Sequence, residues 1–282
     1  MELSYRRSED AIFEPAIPIQ HRDDQYPEDG FANLWAMQGR HFWYRGRHRF
    51  LLHALDNYRP ASSVPLAAVD LGGGVGGWVH YLAARRPGQY APLALADFSR
   101  TALRMAGGVL PDCVDRYQID LMNLGWRDYW DIAFLLDVIE HLPDDLETLC
   151  QAKAALKPGG MLFVTAPAFQ HFWSYNDELA NHLRRYTRAD FARLGEDAGM
   201  QLFDARYFMF LLSPLYWVAR QGRRVEGMTE EEKRELMRKT HQVPSTVINL
   251  SLTAIFSAET PLGHWFRFPW GTSLLGIFRK PI

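Results

Sequence analysis

Cysteine is nearly absent: Cys113 and Cys150 are the only two in 282 residues. Two cysteines supply neither a disulfide framework nor a Cys-x-x-Cys metal knuckle, and both are expected to act as small core hydrophobes. No apolar run approaches the ~20 residues of a membrane span. The opening Met-Glu-Leu-Ser-Tyr-Arg-Arg lacks the apolar core of a secretory signal, so the expected location is cytoplasmic. Excess charge is also missing, with 31 Lys and Arg against 33 Asp and Glu. That balance excludes a broadly nucleic-acid-binding surface and leaves only local basic clusters such as Arg45, Arg47 and Arg49. What the chain does have is 48% hydrophobic residues, enough for a sizeable core, and 13% aromatics.

Residues 69–77, Val-Asp-Leu-Gly-Gly-Gly-Val-Gly-Gly, are the most informative stretch. An apolar run ends in Asp70, and glycines follow at 72, 74 and 76. This reads as a buried strand entering a tight turn where backbone comes close to a ligand. Gly72, Gly74 and Gly77 also satisfy Gly-x-Gly-x-x-Gly, the turn that seats a dinucleotide pyrophosphate on a helix N-terminus. On these residues alone an NAD(P)-dependent oxidoreductase stays open.

Strand–helix alternation follows. Strands are expected near 66–71, 92–97, 114–119, 131–136, 161–165, 201–206 and 272–280, with helices near 76–86, 99–108, 144–157, 188–199 and 229–241. Apolar, non-alternating strands joined by helices predict a parallel sheet covered on both faces. Residues 1–30, with Pro15, Pro18, Pro27 and the run His21–Asp24, read as an irregular arm. Residues 31–58 carry helical periodicity, broken at Gly39 and Gly46, and Lys157-Pro158-Gly159-Gly160 reads as a turn. Thr229–Glu232 is a capping box, with Glu230–Arg234 and Glu235–Lys239 as supporting pairs.

Three further segments resemble class I S-adenosylmethionine-dependent methyltransferases, as does Asp70-x-Gly72-x-Gly74-x-Gly76. They are Asp120-Leu121 after the third strand, Asp137-Val-Ile-Glu140-His141 after the fourth, and Leu156-Lys-Pro-Gly-Gly160 entering the fifth. A dehydrogenase reading predicts none of these three. The resemblance implies a Rossmann-like, seven-stranded, mostly parallel α/β sheet with an antiparallel last strand. It implies S-adenosylmethionine as cofactor and S-adenosylhomocysteine as product. Residues 1–62 would be an arm and helical cap, and 63–282 the core, with 207–268 inserted as a lid or substrate region.

The resemblance also implies roles. Gly72 and Gly74 let backbone approach the cofactor's methionine, Asp97 accepts from ribose hydroxyls, and Asp120 with Leu121 meets adenine. Asp137 falls in the cofactor site. Asp70 either binds through water or holds the turn, and Phe98 packs on adenine or in the core. His41–Arg47 resembles a pre-core segment in which Tyr44 and Arg47 close over the cofactor, with Arg47 pairing with its carboxylate. His141 is a base or a helix-capping residue. His182-Leu-Arg-Arg-Tyr-Thr187 resembles a segment of enzymes acting on glycan or lipid-linked substrates, in the type 11/UbiG-like subgroup. There His182 is the alternative base, and Arg185 or Tyr186 holds an acceptor. Glu140, His141 and His182 could be assembled into a metal site, yet no spacing demands one, and none is expected. The aromatic stretch 207–219, with Trp265, Phe266, Phe268 and Trp270, is either a small core or a surface for an apolar acceptor or membrane. A cofactor-binding, non-catalytic subunit is the remaining alternative.

Overall fold

Leu66–Leu71, β3, is buried at all six positions, as a strand covered on both faces must be. In chain order the computed structural model contains β1 (Tyr5–Arg7), β2 (Ile12–Pro15), α1 (Gly30–Gln38), α2 (Phe42–Tyr58), β3, α3 (Gly77–Arg85), β4 (Tyr90–Asp97), α4 (Arg100–Gly107) and β5 (Val114–Gln118). There follow β6 (Trp130–Leu136), α5 (Asp145–Ala155), β7 (Leu156–Pro167), α6 (Tyr175–Leu179), α7 (Arg188–Asp197), β8 (Gln201–Phe208), α8 (Ser213–Ala219), α9 (Glu230–Thr240), α10 (Thr246–Trp265) and β9 (Ser273–Arg279). The structure describes residues 4–17, 19, 30–220, 225–240 and 242–282. The run His21–Asp24 and the side chains of Glu230 and Arg234 lie outside the described residues.

The strands form one sheet in the order β1-β2-β5-β4-β3-β6-β7-β9-β8. From β5 to β7 every pairing is parallel, whereas β9 runs antiparallel to both β7 and β8. The seven expected strands are present, with the antiparallel one last in sequence. Chain order reverses at β3, flanked by β4 and β6, and opens a crevice beyond the carboxyl ends of these strands.

Successive residues of β6 and β7 feed opposite cores. Phe134 and Phe163 pack with Phe50, Leu55 and Trp78, while Leu135 and Val164 pack with Leu149, Ala152 and Phe191. Each fully buried side chain of this size contributes roughly 1.5–3 kcal/mol of burial free energy.

Four local expectations change. Residues 5–15 are an ordered antiparallel hairpin, with β2 parallel to β5, so the sheet has nine strands. Tyr5 stacks on Trp126 and Phe13 on Tyr117, and Ile12 is completely buried. Gly46 lies within α2 and does not break it. The Lys157–Gly160 turn is absorbed into β7 as a register shift: Trp130 pairs with Leu156, but Ile132 pairs with Met161. Cys113 is exposed and only Cys150 packs against a core.

α10 lies along α2. A Cβ on Gly46 would come within 1.9 Å of the Phe256 ring, so only glycine allows this approach. Asn249 fixes the junction, its Oδ1 accepting from the Phe42 N–H at 2.9 Å and its Nδ2 donating to the Arg40 carbonyl at 2.9 Å. Buried Glu259 accepts from the Phe210 and Leu211 N–H groups, each at 2.9 Å, and pins the chain after β8. α9 packs beside α6. Leu236 and Met237 join a small cluster with Tyr175 and Leu179 of α6.

Candidate functional site

The turn after β3 takes Gly72 and Gly74 to φ of +74° and +58°, conformations that side-chain-bearing residues rarely adopt. Neighbouring β4 holds it there. The Gly74 N–H donates to Asp97 Oδ2 at 2.7 Å, the Ser99 N–H to Asp97 Oδ1 at 2.8 Å, and the Gly72 N–H to the Ala96 carbonyl at 2.7 Å. Asp70 lies beneath, 2% exposed, with Oδ1 unpartnered among the described residues. Burial pushes its carboxyl up to about 7, with Arg47 opposing and Asp97 reinforcing the shift. Asp70 therefore belongs to the support of the turn.

A cavity of about 1020 Å³ opens at the carboxyl ends of the strands. Tyr44, Arg47, Gly72, Gly74, Asp97, Phe98, Leu121, Asp137, His141 and His182 all line it, although they come from segments far apart in sequence. Three sequence-predicted residues do not. Asp70 is below the turn. Asp120 turns its Oδ1 to the Met122 N–H at 3.0 Å, while its neighbours Gln118 and Leu121 reach the wall. Tyr186 is buried behind the cavity, its hydroxyl donating to Asp145 Oδ2 at 2.7 Å and, more weakly, to the Ile139 carbonyl at 3.3 Å. Burial and the Asp145 contact push that phenol far above its ordinary value, which suits a tether and corrects the acceptor-holding reading.

Arg47 also has a partner within the protein. Its guanidinium is buried, pairs with Asp137 at the end of β6, and lies over the Trp43 and Tyr44 rings at 4.8 and 5.4 Å. Asp137 itself has φ +58° and is held by its N–H on the Thr165 carbonyl at 2.9 Å.

A second network borders the opposite end. Buried Asp177 accepts from Arg185 Nε and Nη2 at 2.8 and 2.9 Å and from His182 Nδ1 at 2.9 Å. Burial alone would raise the Asp177 carboxyl, but these hydrogen bonds outweigh it and hold it well below the usual range. The Nδ1 contact leaves Nε2 as the ring nitrogen of His182 that Asp177 does not engage. The His141 and His182 rings meet edge to face at 4.8 Å. Burial, then His182, lowers His141 to about 4, partly offset by the carbonyls of Ala180 and Asn181. It is neutral near pH 7. Between the two networks lies Glu140, completely buried, with neither carboxylate oxygen bonded among the described residues.

In sequence Asp177 belongs to the polar cluster 176–187, readable also as a loop rigidified by internal salt bridges, whereas the cavity residues Tyr216, Arg220, Met237 and Thr240 are not singled out within the expected insertion. Asp177 carries a signal in its capping box with Ser174, which fixes α6 beside the cavity. The insertion residues carry none.

A sequence-family profile described as a methyltransferase domain matches residues 40–204, more than half of the chain. The chain belongs to this methyltransferase family. It is a class I S-adenosylmethionine-dependent methyltransferase, and the dehydrogenase alternative falls with that match. Solved structures agree in fold. A Haloferax volcanii methyltransferase in complex with the Trm112 activator is 17% identical, with a TM-score of 0.58 over 90% of this chain and 96% of that one. Haemonchus contortus phosphoethanolamine N-methyltransferase 2 with bound S-adenosylmethionine is 15% identical, with a TM-score of 0.58 over 96% of this chain and 62% of that one. The [4+2]-cyclase SpnF is 16% identical, with a TM-score of 0.60 over 94% and 98%. Such identities carry the fold and no more, and a cyclase among them shows that chemistry must be argued from the site. Comparison with curated protein sequences gives no match.

Proposed function

We propose that this methyltransferase acts on a small-molecule, saccharide or lipid-linked acceptor bound between the His141–His182 pair and the insertion, and that it falls in the UbiG-like subgroup. One observation carries the reading: the cavity runs without interruption from the glycine turn to His182, and its 1020 Å³ is at the upper limit of ordinary ligand sites. That volume accommodates cofactor and acceptor together. The cofactor's methionine then lies against the Gly72–Gly74 backbone, its ribose on Asp97, and its adenine between Phe98 and Leu121. Arg47, held by Asp137, offers its remaining N–H groups to the carboxylate, and Tyr44 closes over the cofactor. Helices α1 and α2 serve as the cap of the arm-and-cap segment 1–62, and 207–268 as lid, since Tyr216 and Met237 join Trp43 in the cavity wall.

Methyl transfer needs alignment and exclusion of water more than it needs chemistry from the protein. The acceptor's lone pair forms the bond to the methyl carbon as the carbon–sulfur bond breaks. The electron pair stays on sulfur and yields S-adenosylhomocysteine. Where the acceptor must also lose a proton, Nε2 of His182, oriented by Asp177, is the group placed to receive it. The lipid-linked arm of the reading draws support from the exposed Leu215, Trp217, Val218, Trp265 and Phe266 in the insertion.

Cell extract supplied with labelled methyl donor, with and without the purified enzyme, tests the acceptor class. One labelled lipid, saccharide or small molecule heavier by a methylene is expected; label appearing only in protein or nucleic acid would refute it. By calorimetry, Asp97→Ala should weaken S-adenosylhomocysteine binding by about 10–100-fold, the worth of hydrogen bonds to a charged acceptor. Wild-type affinity in that variant would remove Asp97 from the site.

A further inference from the structure

The charges around Glu140 are already engaged. Arg47 is paired with Asp137 and Arg185 is held bidentately by Asp177. Glu140 remains, with no exposure and two carboxylate oxygens that bond to nothing among the described residues. A buried carboxylate without a partner is costly. It marks a place where a cation is missing or a proton is held.

Two imidazoles decide which. Glu140, His141 and His182 each offer one ligand atom, these atoms lie within 4.8 Å of one another, and all three residues line the cavity. A proton would satisfy Glu140 alone, whereas two imidazole rings converge on the same point as its carboxylate. A metal ion uses all three. Tetrahedral ligands each about 2.1 Å from a common ion are about 3.4 Å apart, so the trio closes by up to about 1.4 Å, within the reach of side-chain rotation. The outer contacts are those of metal-bound histidine: His182 donates its other nitrogen to Asp177 at 2.9 Å, and Arg185 fixes Asp177 in turn.

We propose that Glu140, His141 and His182 bind one first-row divalent cation of the Zn²⁺, Co²⁺ or Mn²⁺ class, and that its open position holds a hydroxyl oxygen of the acceptor. Two imidazoles and one carboxylate select borderline cations over Mg²⁺ and Ca²⁺, which prefer oxygen. Three protein ligands leave coordination positions open, as catalytic sites do. An oxygen bound there is acidified by the ion. With the ion bound, His182 is a ligand in place of a base, so the proton leaves to solvent, and the oxygen lone pair attacks the methyl carbon while the sulfur keeps the carbon–sulfur pair. The acceptor role rests on the methyltransferase site proposed above. The metal site itself does not.

The test uses the full chain stripped with chelator and titrated with Co²⁺, whose visible absorption reports nitrogen and oxygen ligation. Calorimetry with S-adenosylhomocysteine on the same metal-free protein checks the cofactor site separately. The expected result is one Co²⁺ per chain in the wild type, weakened at least tenfold in Glu140→Gln and in His182→Ala, and unchanged in the exposed-site control His171→Ala. Glu140→Gln removes a buried carboxyl that has no partner among the described residues, so it should unfold at no lower temperature than metal-free wild type. His141→Asn serves as a second ligand variant. A wild type that binds S-adenosylhomocysteine but no Co²⁺ overturns the metal site, as do ligand variants that bind Co²⁺ like the wild type. With Co²⁺ bound, acceptors bearing hydroxyl groups should gain turnover; turnover unaffected by the metal overturns its acceptor role.

Discussion

At the level of single residues, Asp70 shows what the glycine turn costs to maintain. Its carboxyl is pushed up to about 7 in the folded protein against an ordinary 3.8. Between those values the folded state holds a proton that the unfolded chain releases, so this group's contribution falls as pH rises from about 4 to about 7. Asp70→Asn removes the ionisation. Relative to the wild type, the variant should gain stability on the order of 4 kcal/mol between the acidic and alkaline ends of that window. Urea unfolding of both proteins across the window checks this, and parallel profiles would overturn it. The same residue shows how far a motif can be read. Asp70, Gly72, Gly74 and Asp97 are legible because their spacing is local and their backbone demands are severe. Glu140's lack of a partner is not legible, since it depends on where Arg47 and Arg185, distant in sequence, place their charge.

Among the elements, the α2–α10 pair carries the most exacting fit. Gly46→Ala drives a methyl group into the Phe256 ring and should destabilise by about 1–3 kcal/mol, the usual cost of overpacking. Phe256→Leu makes room, so the double variant should lose less than the sum of the single losses; additive denaturation midpoints would contradict the contact. The parallel strands are legible because an apolar, non-alternating run of five or six residues between turn signals is too short for a buried helix and suits a strand covered on both faces. The β1–β2 hairpin is not. Tyr5–Arg7 is three residues long and two of them are arginines, so its strand exists only through Tyr5, Phe13 and the aromatic cluster at Tyr117 and Trp126. α10 is also hidden. Val247, Ile248 and Leu250 face solvent while Asn249, Glu259 and Thr260 are buried, an inversion of the amphipathic pattern, and Pro261 lies inside the helix.

Across the whole molecule, twelve of the eighteen large apolar side chains exposed among the described residues fall between 211 and 270. No described helix is long and apolar enough to cross a membrane. If the acceptor is lipid-linked, as proposed above, this exposed apolar surface is the part that meets the lipid. The enzyme should co-sediment with phospholipid vesicles, and Trp217→Glu with Trp265→Glu should reduce the bound fraction severalfold while S-adenosylhomocysteine binding is retained. Equal sedimentation of variant and wild type would remove the interfacial role.

β9 lies between β7 and β8, yet the ribosome makes it after both. The chain therefore leaves the exit tunnel with a gap in its sheet, β8 having no neighbour on that side until residues 273–279 arrive. α10, which clasps the cap helix α2 over the cavity, emerges only shortly before. A nascent chain stalled before residue 246 can form the glycine turn but has neither the clasp nor the closing strand. Completion of the sheet and of the α2–α10 pair is thus a late event of synthesis, reached only once α10 and β9 have both emerged.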